Sequence, residues 1–417
     1  MTPLSSCSFI PPLLALFVVI RVAGADERCG NGWLEYADLH ERIITGKDAQ
    51  RYVYFRPDRW RGYSNQLLGI SSMFALALVT DRAFMIEPSQ FTRMFYSPHI
   101  RWNASLSHDT EIRYVDDMKD CDANAALDAL MMADLYSLYP ESVLSISTNV
   151  LWWPSLFRNP RLAHRVEQWG LADPDAFFGC AMKYLFHPSK ELQQALEPLL
   201  EQIRGKYTVG MHLRLNPMNG QARVEDMNSY VECGRDILAM NGREWNDTDV
   251  RWIVATDLPD IIPDLQQALG TRQLVWYDAP QDDGTGVSDV ATQEEREEED
   301  AFALKRAVDH YLLSMSNETI ITFASTYGLA AAHFQPEKRH HYNYGRHYHQ
   351  PNMSPACELR TCSLSQPCFN KAFGYFGLCD SDIIYSHGVD FLDSMDQMYD
   401  FSSKPLRLPS QCSKTDM

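Results

Sequence analysis

Arg214 is the residue of this chain best suited to hold an anion. It lies near the C-terminal end of the stretch "YTVGMHLRLNP" (residues 207–217), where Thr208, Val209, Met211 and Leu213 have the β-branched and apolar character of a buried strand. A guanidinium offers a planar fork that donates two hydrogen bonds to a phosphate, and His212, two residues earlier, projects from the same face of a strand. The pattern of an apolar strand ending on polar groups recurs twice. "VRWIVATD" ends on Asp257, and "TIITFA" is followed by Ser325 and Thr326. In parallel α/β sheets ligands bind beyond the carboxyl ends of the strands, so these three ends outline a nucleotide pocket. Arg214 would clamp phosphate, Ser325, Thr326 and the backbone N–H groups after them would add donors, and Asp257 would accept from a base or ribose. Each group also has an ordinary alternative: His212 and Arg214 as a salt-bridged pair, Ser325 and Asp257 as helix caps. Their coincidence in order and spacing favours the pocket.

Such residues need a scaffold of alternating strands and helices, and the chain after Lys206 supplies one. Strand "YTVGMHLRL", a helix around "MNSYVECGRDILAM", strand "VRWIVATD", a helix around "LPDIIPDLQQAL", strand "RQLVWY", helix "AFALKRAVDHYLLSMS", strand "TIITFA" and helix "TYGLAAAHF" read as four βα units of a doubly wound sheet. No G-x-G-x-x-G follows the first strand, so a nucleotide here is held by other means than an NAD or FAD loop. Nearer the start, "YVYF", "RPDRWRGYSNQ", "LLGISSMFALALVT" and "RAFMIE" read as strand, loop, helix and strand. That helix is apolar on nearly all sides and belongs in a core, with Ser64 or Asn65 as its cap. Residues 90–205 are mixed and aromatic-rich, with "ESVLSIST" as a strand and "SKELQQALEPLLEQIR" as an amphipathic helix capped by Ser189. The expected fold class is α/β, with a pair of α/β domains facing a cleft: an N-terminal domain over 26–205, a Rossmann-like nucleotide-binding domain over 206–345, and a cysteine-rich tail over 346–417.

Composition narrows the function. The chain has 417 residues, 45% of them hydrophobic, so it can pack more than one core. Its 55 acidic against 37 basic residues give a formal charge of −18, which excludes a protein that tracks nucleic-acid phosphates over a basic face. Residues 1–25 contain "FIPPLLALFVVIRVAGA", interrupted by Pro11, Pro12 and Arg21 and ending on small residues, as a secretory signal does; a signal anchor in a Golgi membrane is the other reading. Of ten cysteines Cys7 lies in this leader, and Cys357, Cys362, Cys368, Cys379 and Cys412 crowd the tail, as disulfides in an oxidising lumen would. Asn103, Asn246, Asn317 and Asn352 each open an N-x-[ST] sequon. The acidic run "QDDGTGVSDVATQEEREEED" reads as a solvated loop, and "EKRHHYNYGRHYHQP" as a segment without helix or strand. The spacing of His340, His341, His347 and His349 there matches no zinc pattern, so no metal is expected.

Several of these segments resemble, in order, those of the plant xyloglucan α-1,2-fucosyltransferases. "RGYSNQLLGISSMFALALVTDRAFMIE" is similar to their glycine-containing loop and buried helix, "KYLFHPSKEL" to their Tyr-Leu-Phe-His-Pro segment, and "GMHLR" to their Gly-Ile-Gln-Val-Arg strand. "DHYLLSMSNETIITFASTYGLAAA" resembles their Tyr-Leu-Leu-Ser…Ser-Thr-Phe-Gly segment, and "QPCFNKAFGYFGLC" their cysteine-containing tail. In the wider superfamily, with the α-1,6 and protein O-fucosyltransferases, the strand reads His-x-Arg, as it does here.

The resemblance implies a GT-B-like fold, GDP-fucose as donor, a glycan acceptor, inversion at the fucose C1, no metal or other cofactor, and a Golgi or secretory site. By resemblance Arg214 holds the β-phosphate with His212 in support, Ser325 and Thr326 contact the diphosphate, Asp257 and Asp309 lie at the guanosine end, and Arg61, Gly62 and Asn65 of the loop join the donor site. Where some relatives carry an acidic residue after the arginine, this chain has Asn216 and Pro217. Glu225 and Asp226 are then the candidate bases, beside a dissociative path with weak base help. The expected activity is fucosyl transfer in α-1,2 linkage to galactose of a cell-wall or secreted glycan. A protein O-fucosyltransferase and a catalytically silent sugar-binding protein are the alternatives.

Overall fold

The computed structural model describes residues 29, 32–58, 62–104, 112–115, 130–149, 151–171, 174–214, 224–279, 293–322, 325–335, 341–345 and 356–360. The N-terminal half runs α1 (Trp33–Ile44), β1 (Tyr52–Phe55), α2 (Tyr63–Val79), β2 (Ala83–Ile86), α3 (Gln90–Met94), β3 (Phe95–Tyr96), β4 (Ile112–Val115), α4 (Leu135–Leu138) and β5 (Val143–Ile146). It continues through α5 (Trp153–Arg158), α6 (Ala163–Gln168), α7 (Pro174–Leu185), β6 (His187–Pro188) and α8 (Lys190–Ile203). The C-terminal half follows with β7 (Tyr207–Leu213), α9 (Val224–Met240), β8 (Val250–Thr256), α10 (Ile262–Leu269), β9 (Leu274–Val275), α11 (Gln293–Ser314), β10 (Glu318–Thr322), α12 (Thr326–Ala332), β11 (His341–Gly345) and β12 (Ala356–Arg360).

Helix α2 buries every residue except Asn65, because it has no polar face to turn to solvent. It begins at Gly62 with no side-chain cap, so Ser64 and Asn65 fall inside its first turn and not at the expected cap position. Gly69 lets it lie close on the strand ends: a methyl group there would sit 2.0 Å from the Thr148 carbonyl oxygen and 2.7 Å from the Phe55 ring. Ser189 caps α8 as its sequence predicts, accepting from the Leu192 N–H at 3.4 Å, and the helix buries Leu192, Leu196 and Leu199.

The first sheet has the order β2-β1-β5-β4 and is parallel throughout. The second has the order β12-β11-β10-β7-β8-β9 and is parallel except for β12, which runs antiparallel to β11 at the edge. Along β7 the odd residues Val209, Met211 and Leu213 join the core under α9 and α10, so the even residues face α11 and α12. On that side one hydrophobic core is continuous between the halves, from Leu67 and Phe74 of α2 to Ala307, Val308 and Leu312 of α11 and Phe334 beyond α12.

Three further sequence expectations change. The acidic run is not all loop, since Gln293–Asp300 form the first turns of α11; residues 280–292 lie outside the described residues. The histidine-rich segment contains strand β11, because β10 offers a free edge and His341 buries its ring against His333, with 3.3 Å between Nε2 of His333 and Nδ1 of His341. "RQLVWY" contributes only Leu274 and Val275 to the sheet. Disulfides join Cys29 to Cys180 and Cys233 of α9 to Cys357 of β12. Cys362, Cys368, Cys379 and Cys412 lie outside the described residues, as do residues 1–28. No described helix is long and apolar enough to cross a membrane.

Candidate functional site

Strand order places the candidate site. From β7 the chain passes through α9 to β8 on one side, whereas from β10 it passes through α12 to β11 on the other. The connections therefore diverge at the carboxyl ends of β7 and β10, which are neighbours, and open the crevice where doubly wound sheets take their ligands. Arg214 stands at the end of β7, Asp257 one residue beyond β8, and Ser325 and Thr326 just beyond β10. The three polar ends expected from sequence thus come from three adjacent strands.

Arg214 is exposed, and among the described residues no carboxylate pairs with it. Among the described residues no acid supports the salt-bridged alternative for His212 and Arg214. His212 differs from expectation in another way. It is 7% exposed, packed beneath α12 with its ring 5.2 Å from that of Tyr327, and its Nδ1 has no hydrogen-bond partner among the described residues. Burial, then the charge of Arg214, pushes its pKa down to about 3. His212 is therefore a neutral wall behind the crevice and adds no positive charge to it, whereas Arg214 reaches solvent.

Ser325 precedes α12 but makes no capping bond, and its buried hydroxyl has no partner among the described residues. The ordinary cap role is thus not the one it fills. Thr326 is partly exposed in the first turn. Asp257 is partly exposed, and the turn after β8 is tied by Thr256, whose hydroxyl accepts from the Leu258 N–H at 3.1 Å.

Asp309 sits deeper than the resemblance suggests. It is 6% exposed on α11, and one oxygen accepts from Lys305 Nζ at 3.0 Å, one turn away; Lys305 also donates to the Tyr277 carbonyl, just past β9, at 2.9 Å. Burial outweighs the lysine and pushes the carboxyl pKa up to about 6. The other oxygen has no partner among the described residues.

A group of residues that the sequence did not single out closes the back of the crevice. Tyr63, at the start of α2, lies 5.3 Å from the His310 ring of α11 and 6.1 Å from Tyr327 of α12, and His310 and Tyr327 are 5.2 Å apart. The Tyr63 hydroxyl, the Ser64 hydroxyl and His310 Nε2 are buried without partners among the described residues. Burial, then His212, pushes the His310 pKa down to about 3. Thus Gly62 and Asn65, flanking Tyr63, are carried to the same seam, and Asn65 is partly exposed. Arg61, Asn216 and Pro217 lie outside the described residues, as do the side chains of Glu225 and Asp226.

A second missed residue is Thr322, the last of β10. Its Oγ1 accepts the Arg214 N–H at 2.9 Å, donates to the His212 carbonyl at 3.0 Å and lies 2.7 Å from the Tyr230 hydroxyl. Two surface concavities lie elsewhere, one of about 440 Å³ bordered by Asp38, Arg42 and Arg165, and one of about 730 Å³ bordered by Lys206, Arg251 and Arg272. The second is at the amino ends of β7 and β8, the end of a parallel sheet that does not present its ligand site. Among the described residues no group of three or more His, Cys, Asp or Glu side chains is placed to hold a metal ion.

No protein-family model and no curated protein matches the chain. Solved structures do. An arginine-to-lysine variant of Arabidopsis thaliana FUT1 in complex with GDP is similar over 80% of this chain and 82% of its own, at 15% identity and a TM-score of 0.58. NodZ α-1,6-fucosyltransferase soaked with GDP-fucose, a protein of Bradyrhizobium, is similar over 74% of this chain and 99% of its own, at 12% identity and a TM-score of 0.46. POFUT1 in complex with GDP reaches a TM-score of 0.35 at 12% identity, over 69% of this chain and 96% of its own. The first likeness shows that this mixed α/β chain, with one parallel sheet and one parallel but for its edge strand, shares the fold of the plant protein.

Proposed function

We propose that the chain is an inverting fucosyltransferase that moves L-fucose from GDP-fucose to a hydroxyl of a glycan, in α-1,2 linkage to galactose. The observation that carries this is Arg214, an exposed guanidinium without an ion pair among the described residues, at the crevice between β7 and β10. The GDP held by the plant protein of the same fold supports the choice of ligand. In the reaction the bond from fucose C1 to the β-phosphate oxygen breaks as the acceptor oxygen bonds to C1 from the opposite face. The acceptor proton passes to a base, and GDP leaves with the electron pair. Arg214 donates two hydrogen bonds to the β-phosphate, and the Ser325 and Thr326 hydroxyls add donors, so contacts that strengthen as charge develops lower the barrier. No metal is part of this scheme. Asp257 and Asp309 serve the guanosine end, Arg61, Gly62 and Asn65 the N-terminal wall, and Glu225 or Asp226 the acceptor proton. His212 keeps Arg214 beside an uncharged wall.

The architecture we assign is GT-B-like, with an acceptor-side domain over 26–205 and a donor domain over 206–345. The leader-like residues 1–25 and the two disulfides support a secretory or Golgi-lumenal site, reached as a cleaved or a membrane-anchored chain. The test is turnover of GDP-fucose against galactosylated oligosaccharides and a folded protein acceptor, with calorimetric titration of GDP alongside. Transfer to a galactoside, unchanged by EDTA, is expected. Transfer only to the protein favours O-fucosylation, and a chain that ignores GDP is not a fucosyltransferase. Turnover lost to EDTA and restored by a divalent ion would overturn the metal-free scheme.

A further inference from the structure

The Thr322 hydroxyl has one proton and two acceptor positions, and all three are in use. Its proton goes to the His212 carbonyl at 3.0 Å, so the other two neighbours must donate to it: the Arg214 N–H at 2.9 Å and the Tyr230 hydroxyl, 2.7 Å away on α9. Register pairing of β10 with β7 ends at Ile321 opposite His212. One residue later a side chain takes over from the backbone ladder, and it grips the two peptide groups that flank Leu213. Arg214 is past the end of β7, and its N–H goes to the Thr322 hydroxyl and not to a backbone carbonyl, while Tyr230 ties the same hydroxyl to the helix that follows the crevice.

We infer that Thr322 is a positioning residue: it sets the direction in which the Arg214 guanidinium leaves the strand, and Tyr230 holds the hydroxyl in place. This rests on the reading of Arg214 as the diphosphate clamp. A misaimed fork loses one of two parallel hydrogen bonds, and small misplacements at a reacting centre are costly in rate. Valine in place of Thr322 keeps the shape and removes all three hydrogen bonds, and serine keeps the hydroxyl.

The experiment measures GDP affinity by calorimetry and turnover of GDP-fucose for wild type, Thr322→Val, Thr322→Ser, Arg214→Lys and the double variant Arg214→Lys/Thr322→Val, with a melting curve for each. Thr322→Val should weaken GDP and slow turnover about ten-fold, the size expected for one lost charge-assisted hydrogen bond, and Thr322→Ser should restore most of it. In the Arg214→Lys background the same substitution should cost less than three-fold, because groups that act through one another are not additive. A full ten-fold loss in both backgrounds, or no loss with Thr322→Val, overturns the inference. If wild type binds no GDP, or Arg214→Lys binds it as well as wild type, the clamp itself fails, and the inference with it.

Discussion

A methyl group on Gly328 would sit 2.9 Å from Nδ1 of His212 and 2.8 Å from Cβ of Ile321. The contact fixes how near α12 can approach the ends of β7 and β10, and only a hydrogen atom leaves room. Gly328→Ala should therefore lift the helix and tilt the buried imidazole, costing about 1–3 kcal/mol of stability as overpacked sites do. Thermal unfolding checks the first effect and GDP titration the second. An unchanged melting temperature would show that the backbone yields freely there.

Arg214→Lys retains the charge and replaces a planar fork by a point donor. Because the side chain is exposed, the fold should be intact by melting curve and circular dichroism. Turnover and GDP affinity should fall about ten- to a hundred-fold, from the roughly 1.5–3 kcal/mol that a charge-assisted bond supplies. Wild-type kinetics in this variant, or failure to fold, would return Arg214 to a structural role.

Three buried imidazoles make the protein acid-sensitive. His40 is pushed down to about 4, and His212 and His310 to about 3, in each case first by burial. The unfolded chain takes up these protons near pH 6.5 and the folded chain does not, so stability present above pH 6.5 is lost as the pH falls toward 4. Each contributes about 1.4 kcal/mol per pH unit to the slope, roughly 4 together. Asp309, pushed up to about 6 from 3.8, acts in the opposite sense, since between those values the folded chain takes up the proton first. The net slope near pH 5 is then about 3 kcal/mol per pH unit. Denaturant midpoints between pH 7 and 4.5 measure it, and His40→Gln should flatten it by about half. A flat profile would contradict buried neutral imidazoles.

The Cys233–Cys357 bridge ties edge strand β12 to α9 across 124 residues of sequence. Cys233→Ser should cost about 2–5 kcal/mol and release β12 before the rest of the sheet unfolds. Peptide mapping without reduction should return Cys233 linked to Cys357 and Cys29 linked to Cys180. Finding all four as free thiols would disprove the pairing.

The strands that carry the crevice were legible because their apolar runs stop at polar groups, and a parallel strand buried on both faces has that signature. Arg214 and Ser325 stood out for the same reason. Thr322 did not, since a threonine in "TIITFA" is ordinary strand chemistry and its three hydrogen bonds exist only once β10 lies beside β7. Tyr63 and His310 were hidden inside helices whose neighbours are apolar, and their meeting is a contact between distant parts of the chain. The Lys305 and Asp309 pair, one helical turn apart, was readable in principle from spacing, but nothing local says that both are buried. Strand β11 alternates Tyr with His, Asn and Gly, has no β-branched or aliphatic residue, and owes its form to the edge it meets.

The core that runs unbroken from α2 to α11 has a consequence for how the protein melts. Cooperative units follow packed cores, and here Leu67, Phe74, Val308 and Leu312 belong to the same one although they come from opposite ends of the chain. The halves should therefore unfold in a single calorimetric transition, and a fragment cut after Lys206 would present the α11 side of this core to water. Because Tyr63 reaches His310 through that core, any substrate that reorders the start of α2 acts on the back wall of the Arg214 crevice without touching Arg214.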